Sequence, residues 1–303
     1  MRLLILAALY WLSWMSWTCW TLASQPPTTA TVTRYALARV LAESGKPLLN
    51  APASDDLVVE EDGERRTVIS VAPAAYPVAV LLDTSGFARD DFFRLREAAT
   101  HFVRSLRDRE VAVYTFGDRS ARLTPFTRDT KALARAVETT FAADGGEVHV
   151  IDAFIEAAEE IGRLTPMVST IVVVSGGGRD RSRRNLQDLR EPLSRSHAIV
   201  RVVDRRRPQA STARSGGRDQ AVQTALGDED ILREFVERTQ GQFIQIAGAS
   251  GYQAALDQAL EQMASEWIVA YEGLAQPHSR SVRLGIRLPG ATIRGIGLGV
   301  LEK

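Results

Sequence analysis

Between residues 77 and 247 the chain alternates short apolar runs with segments of helical period, and no other property narrows its possible folds as far. The runs lie at 78–82, 111–116, 169–174, 197–203 and 242–246. They are of strand length, and 78–82 and 169–174 are apolar nearly throughout, the pattern of strands covered on both faces. Between them, Phe92, Leu95, Ala99, Phe102, Val103 and Leu106 recur at helical spacing over 91–106. Further helices are expected at 127–140, 151–164, 184–194 (despite Pro192), 228–239 and 252–264. Segment 121–126, interrupted by Pro125, suits an edge strand, because proline removes a ladder donor. The alternation predicts an α/β fold, a doubly wound and mainly parallel sheet with helices on both faces.

Both ends of the chain carry a different signal. Residues 28–75 read as short strands, with the Asp62-Gly63 dipeptide a strong turn signal between two of them. Near the other end, 267–271 is an apolar strand. Val282, Leu284, Ile286 and Leu288 then alternate with polar or small residues up to Pro289-Gly290, and Ile296, Leu298 and Val300 alternate beyond it. That pattern predicts a hairpin with one buried face. The expected organisation is an N-terminal segment 1–23, N-terminal strands at 28–75, an α/β domain at 77–265, and C-terminal strands at 266–303 that pack with the N-terminal ones into a small β module. The α/β domain would then be an insertion in that module.

Composition excludes more than it assigns. A formal net charge of zero over 303 residues gives no electrostatic reason to expect a nucleic-acid partner. Residues 1–23 carry Arg2 and then an uncharged apolar run, which reads as an export signal or, if uncut, as an N-terminal anchor. The expected location is therefore exported: periplasmic or extracellular, alternatively anchored in the inner membrane, with that segment the one membrane contact. The single cysteine, Cys19, lies within it, so a processed chain would have no thiol chemistry and no cysteine-ligated metal. The four histidines lack a paired zinc spacing.

The first strand of the alternating region ends in Asp83-Thr84-Ser85-Gly86 and leads straight towards a helix. Open α/β sheets bind their ligands outside the carboxyl ends of the strands, so Asp83 and Ser85 occupy a binding rim. On the residues alone they read either as a hydrogen-bonded turn capping the next helix or as a pair of oxygen ligands. Gly176-Gly177-Gly178 follows a second strand, with Arg179, Arg181, Arg183 and Arg184 after it, while Arg205, Arg206 and Arg207 follow a third. Guanidinium groups on this rim would suit an acidic protein partner.

The segments LVVEEDGERRTVISV, VAVLLDTSG, DREVAVYTF, FTRDTKALARAVE, GGEVHVIDAF, STIVVVSGGG, FVERTQGQFIQI and SEWIVAYE, in that order, resemble the von Willebrand factor type A domain, and more closely a bacterial secreted group of VWFA-related proteins. The resemblance implies a central sheet with one antiparallel edge strand, protein ligands, and a divalent cation held by Asp-x-Ser-x-Ser, a threonine and a further aspartate. Here Asp83 and Ser85 match the first two positions and Phe87 replaces the second serine. The threonine position falls on Val148 or Glu147 by two different countings, and Gly176 stands where the third-loop carboxylate would be. A hard dication needs more oxygen ligands than this, so no cofactor is expected, or weak magnesium at most.

The expected function is a non-enzymatic, exported binding protein. Its partner would meet a rim comprising Asp83, Ser85, Phe87, Gly176, Arg179, Arg181, Arg183, Arg205 and Arg206. The alternative is a small-anion or nucleotide binder using the N–H groups of Ser175–Gly178, although the glycines match neither the Walker pattern nor G-x-G-x-x-G.

Overall fold

The computed structural model describes residues 31–48, 50–205, 228–275 and 281–301. The segment 1–23 and the residues Arg206 and Arg207 lie outside them. Among the described residues no helix is long and apolar enough to cross a membrane.

The chain begins with β1 (Thr31–Ala42), β2 (Leu57–Glu61), β3 (Glu64–Arg66) and β4 (Val68–Pro73). The α/β region follows as β5 (Val78–Asp83), α1 (Phe92–Ser105), β6 (Val111–Phe116), β7 (Ala121–Thr127), α2 (Thr130–Glu138), α3 (Val150–Arg163), β8 (Ser169–Ser175), α4 (Arg190–Ser196), β9 (Ala198–Arg205), α5 (Asp228–Thr239), β10 (Gln242–Ile246) and α6 (Gly251–Ala264). The chain then returns through β11 (Glu266–Leu274), β12 (Val282–Ile286) and β13 (Ala291–Leu301).

The central sheet has the order β10-β9-β8-β5-β6-β7. All its pairs are parallel except β6 with β7, the edge strand that Pro125 foreshadows. Every residue of β5 is buried because the strand is central and covered twice. Val78, Val80 and Leu82 pack with α1, α2 and α6, while Ala79 and Leu81 pack with α3 and α5. Since the first strand of the sheet lies between β6 and β8, connections leave it in opposite directions, and a crevice opens at its carboxyl end.

The terminal strands make two further sheets, β13-β1-β11-β4 and β12-β2-β3, with Val40, Val59, Trp267 and Val269 in the core they share. Asp62 and Gly63, at φ 55° and 82°, form the tight turn between β2 and β3. β12 and β13 do not pair as the expected hairpin. β12 joins β2 and β13 joins β1, so Pro289-Gly290 turns the chain from one sheet to the other. Alternation marks a strand with one buried face and leaves its partner open. α4 also differs from expectation, starting at Arg190 instead of near 184. The backbone N–H groups of Arg183 and Arg184 are taken by the Asp152 carboxylate, which holds that segment extended, and Pro192 falls in the first turn, where proline is tolerated.

The two parts meet at the amino-end edge of the central sheet through buried charge. Glu266, at the start of β11, accepts hydrogen bonds from Arg201 of β9 at 2.5 Å, from Arg39 of β1 at 2.8 Å, and from the Tyr76 hydroxyl. Arg201 also donates to Thr170 Oγ1 of β8 at 2.5 Å. Burial alone would push the Glu266 carboxyl upward, but Arg201, Arg39 and Tyr76 outweigh it and hold the group below its ordinary range.

Candidate functional site: the carboxyl rim of the central sheet

Asp83 is the last residue of β5 and is fully buried. One carboxylate oxygen accepts the Ser85 N–H at 2.8 Å, the local turn that starts the rim loop, and the other accepts the Gly176 N–H from the end of β8 at 2.8 Å. A single side chain therefore ties the loops on the two sides of the crevice. Burial pushes the Asp83 carboxyl up to about 6, against the Ser85 and Gly176 donors, and the Asp204 carboxylate adds to the rise. Ser85 Oγ is also enclosed; it sits beside Asp83 and favours the ionised form, without a hydrogen bond of good geometry. Neither side chain presents surface to a partner, and Asp83 instead holds the two loops together.

The loop between α2 and α3 closes over this turn. Ala143 N–H donates to the Thr84 carbonyl at 2.7 Å and Gly86 N–H to the Gly145 carbonyl at 2.5 Å. A side chain at Gly86 would collide with the Gly145 carbonyl, so the close approach requires glycine. Further along this loop Val148 is buried, whereas Glu147 is 64% exposed, with its carboxylate 3.4 Å from His149 Nε2. Of the two countings, Val148 is the residue packed inside, in the core on the α3 side of the sheet. It meets Phe87 over Gly178, where a Cβ would stand 2.8 Å from both Phe87 Cδ2 and Val148 Cγ2. Phe87 is half-buried against the core on the α3 side of the sheet.

These contacts test the fit of a divalent cation, and the fit is poor. Each Asp83 oxygen already accepts a backbone N–H, and the other positions carry Phe87, Val148 and Gly176. A hard ion needs six or more oxygens, and an aromatic ring, a valine and a glycine supply no side-chain oxygen. Among the described residues no group of three or more acidic, histidine or cysteine side chains is arranged to hold a metal.

The glycine run after β8 does not form the expected phosphate cradle. Gly176 N–H is committed to Asp83 and Gly177 N–H to Ser175 Oγ at 2.9 Å, and no helix starts there. Instead the chain wraps the start of α3. Asp180 Oδ1 accepts the Val150 N–H at 3.0 Å, and Arg181 N–H donates to the Val148 carbonyl at 2.6 Å. Burial raises the Asp180 carboxyl despite the donors of Ser182, Ile151 and Val150. For Asp152 the balance is opposite: burial would raise it, but the Arg183 and Arg184 N–H groups and the Arg184 guanidinium hold it low.

The arginines divide accordingly. Arg184 is drawn back onto α3 by Asp152 at 3.2 Å, with Glu156 and Glu159 each at 3.8 Å. Arg205 is likewise engaged, its Nε donating to Asp91 at 2.6 Å and its Nη1 to the Ala247 carbonyl at 2.7 Å. It closes the far side of the rim instead of forming part of a free cationic patch. Arg179, Arg181 and Arg183 are exposed, and they lie on the loop above Phe87 and Val148. The structure thus leaves these three arginines exposed on the loop that starts at Gly178, the residue packed against Phe87. Arg206 is outside the described residues.

Residues 78–179 match the von Willebrand factor type A domain. No curated protein matches the chain. Among solved structures, the mussel byssus proximal thread matrix protein 1 is similar at 10% identity and TM-score 0.47, covering 63% of this chain, which spans 48% of that one. BatB from Bacteroides thetaiotaomicron is similar at 16% identity and TM-score 0.45, over 63% of this chain and 99% of its own. A von Willebrand factor type A protein from Catenulispora acidiphila is similar at 13% identity and TM-score 0.49, over 89% and 74% respectively.

Proposed function

We propose, on the premise that residues 78–179 form a von Willebrand factor type A domain, that this chain is an exported, non-enzymatic protein-binding module. Such domains generally mediate protein–protein interactions. In this reading the partner docks on the carboxyl rim without a tightly bound metal. The observation that carries it is Phe87, packed against Gly178 where a metal ligand of the family would stand, with the exposed Arg179, Arg181 and Arg183 following Gly178 on the same loop. An apolar ring surrounded by guanidinium groups suits an acidic segment with an apolar anchor, since aromatic and arginine side chains carry much of the energy at interfaces. Asp83 supports the arrangement from below by holding the two loops together.

Affinity capture from envelope and medium fractions tests this, with wild type compared to a protein in which Arg179, Arg181 and Arg183 are replaced by serine. A partner retained by wild type and lost by the variant supports the rim. Equal retention by both removes it. Calorimetric titration with magnesium tests the second premise: no heat is expected, and micromolar binding abolished by Asp83→Ala would reinstate the cation.

A further inference from the structure

Away from the rim arginines, α1 and α2 enclose a groove whose chemistry neither the rim nor the core uses. Its cavity, about 350 Å³, is lined by Phe93, Arg96, Thr100, Arg104 and Glu138 among others. Phe92 and Phe93 are adjacent on α1, about 100° apart around the helix; Phe92 enters the core and Phe93 points out. Phe93 at 63% and Phe141 at 75% are the most exposed large apolar side chains among the described residues. Both flank Arg96: Phe93 lines the same cavity, and the Arg96 guanidinium lies 5.7 Å from the centre of the Phe141 ring.

The charges of this face are unequally satisfied. Arg104 pairs with Glu138 at 2.6 Å, Arg94 with Glu97 at 3.0 Å, and His101 stands 3.5 Å from Asp257. Arg96 has no carboxylate partner among the described residues; it donates one hydrogen bond, to the Thr140 carbonyl at 3.1 Å. A guanidinium carries five N–H donors in a fixed fork, so Arg96 keeps the capacity for a bidentate carboxylate.

From this we infer that the α1/α2 groove is a second docking site, for a segment of another protein that presents a carboxylate beside an aromatic or large aliphatic side chain. The carboxylate pairs with Arg96 and the apolar side chain lies along Phe93 and Phe141. Binding covers the two exposed rings and gives Arg96 the anion it lacks. The site shares no side chain with the rim, so it stands or falls separately from the rim proposal.

The test is to pan a phage-displayed random dodecapeptide library on the full chain. Enriched peptides are expected to carry an acidic residue next to an aromatic or large aliphatic one. Synthetic copies should bind wild type and lose about tenfold or more in affinity with Arg96→Gln, since a charge-assisted hydrogen bond is removed. They should lose a similar factor with Phe93→Ser plus Phe141→Ser, exposed positions whose replacement leaves the fold intact. Replacement of Arg179, Arg181 and Arg183 by serine should leave their affinity unchanged. Enriched peptides without acidic residues, equal binding to the groove variants, or no enrichment would overturn the inference. So would sedimentation showing that wild type self-associates through Phe93 and Phe141, because the occupant would then be a second copy.

Discussion

The central sheet buries a carboxylate at each of its two ends, and the two are treated in opposite ways. At the amino-end edge Glu266 is surrounded by Arg201, Arg39 and Tyr76, and its carboxyl is held low. At the carboxyl rim Asp83 meets two backbone N–H groups and a neighbouring carboxylate, Asp204, and its carboxyl rises to about 6. Full positive charges balance the first group, while partial charges on amides balance the second incompletely. The first arrangement fastens the β13-β1-β11-β4 sheet to the central one. The second leaves a strained point beneath the surface proposed to receive a partner.

The largest effect expected from this contrast is at the amino-end edge. Glu266→Gln leaves Arg201 buried without its anion and should lower unfolding free energy by about 3–5 kcal/mol in denaturant titration. Replacing Arg201 and Glu266 together by methionine should cost clearly less than the two single changes summed. Additive losses would mean that the pair is not the fastening.

At the rim, Gly178→Ala should cost about 2 kcal/mol, because φ is 138° and the new methyl would press on Phe87 and Val148. Adding Phe87→Leu should recover part of that. If Gly178→Ala is neutral, the packing of ring, valine and glycine is looser than described.

A smaller effect separates the two carboxylates by pH. Because the folded Asp83 carboxyl, at about 6, lies above the ordinary 3.8, the folded state holds its proton more tightly. Its penalty is complete above pH 6 and is relieved as pH falls towards 4. Glu266, shifted the other way, contributes stability that is present at neutral pH and lost in acid. Wild type should therefore gain about 1 kcal/mol relative to Asp83→Asn between pH 7 and pH 5. A difference that does not change with pH would remove the strain at Asp83.

The smallest effect concerns stability at the exposed arginines. Serine at 179, 181 and 183 should change unfolding free energy by less than about 0.5 kcal/mol, as for surface positions generally. A larger loss would show that they hold the loop, and would complicate any binding result obtained with them.

How much of this was legible in the sequence follows from which interactions are local. The alternation from Val78 to Ile246 reports burial on two faces, so the parallel sheet, its helices and the Pro125 edge strand could be read directly. Asp83 as the head of the rim could be read for the same reason, since it ends the central strand. The resemblance to the von Willebrand factor type A domain supplied the cation positions, against which Phe87 and Gly176 stand out. What the sequence hid depends on partners distant along the chain. Tyr76 and Glu266 lie 190 residues apart and Arg39 and Glu266 227, so nothing local marks them as a network. Arg205 looked free because Asp91 lies in another loop, and the Arg183 and Arg184 segment looked helical because Asp152 was out of view.

The return of the chain beside its own beginning has a kinetic consequence. β11 lies between β1 and β4, and Trp267 faces Pro73 across the ladder, although the whole α/β region separates them. An unfolded chain would have to close that loop at a heavy entropic cost before any of these pairs could reward it. Once the α/β region has formed, Tyr76 and Glu266 are already side by side, and the ends need only zip together. The expected assembly order is sequential, with the α/β region folding first as the template on which the terminal strands close: a refolding trace should show central-sheet protection ahead of β1, β11 and β13.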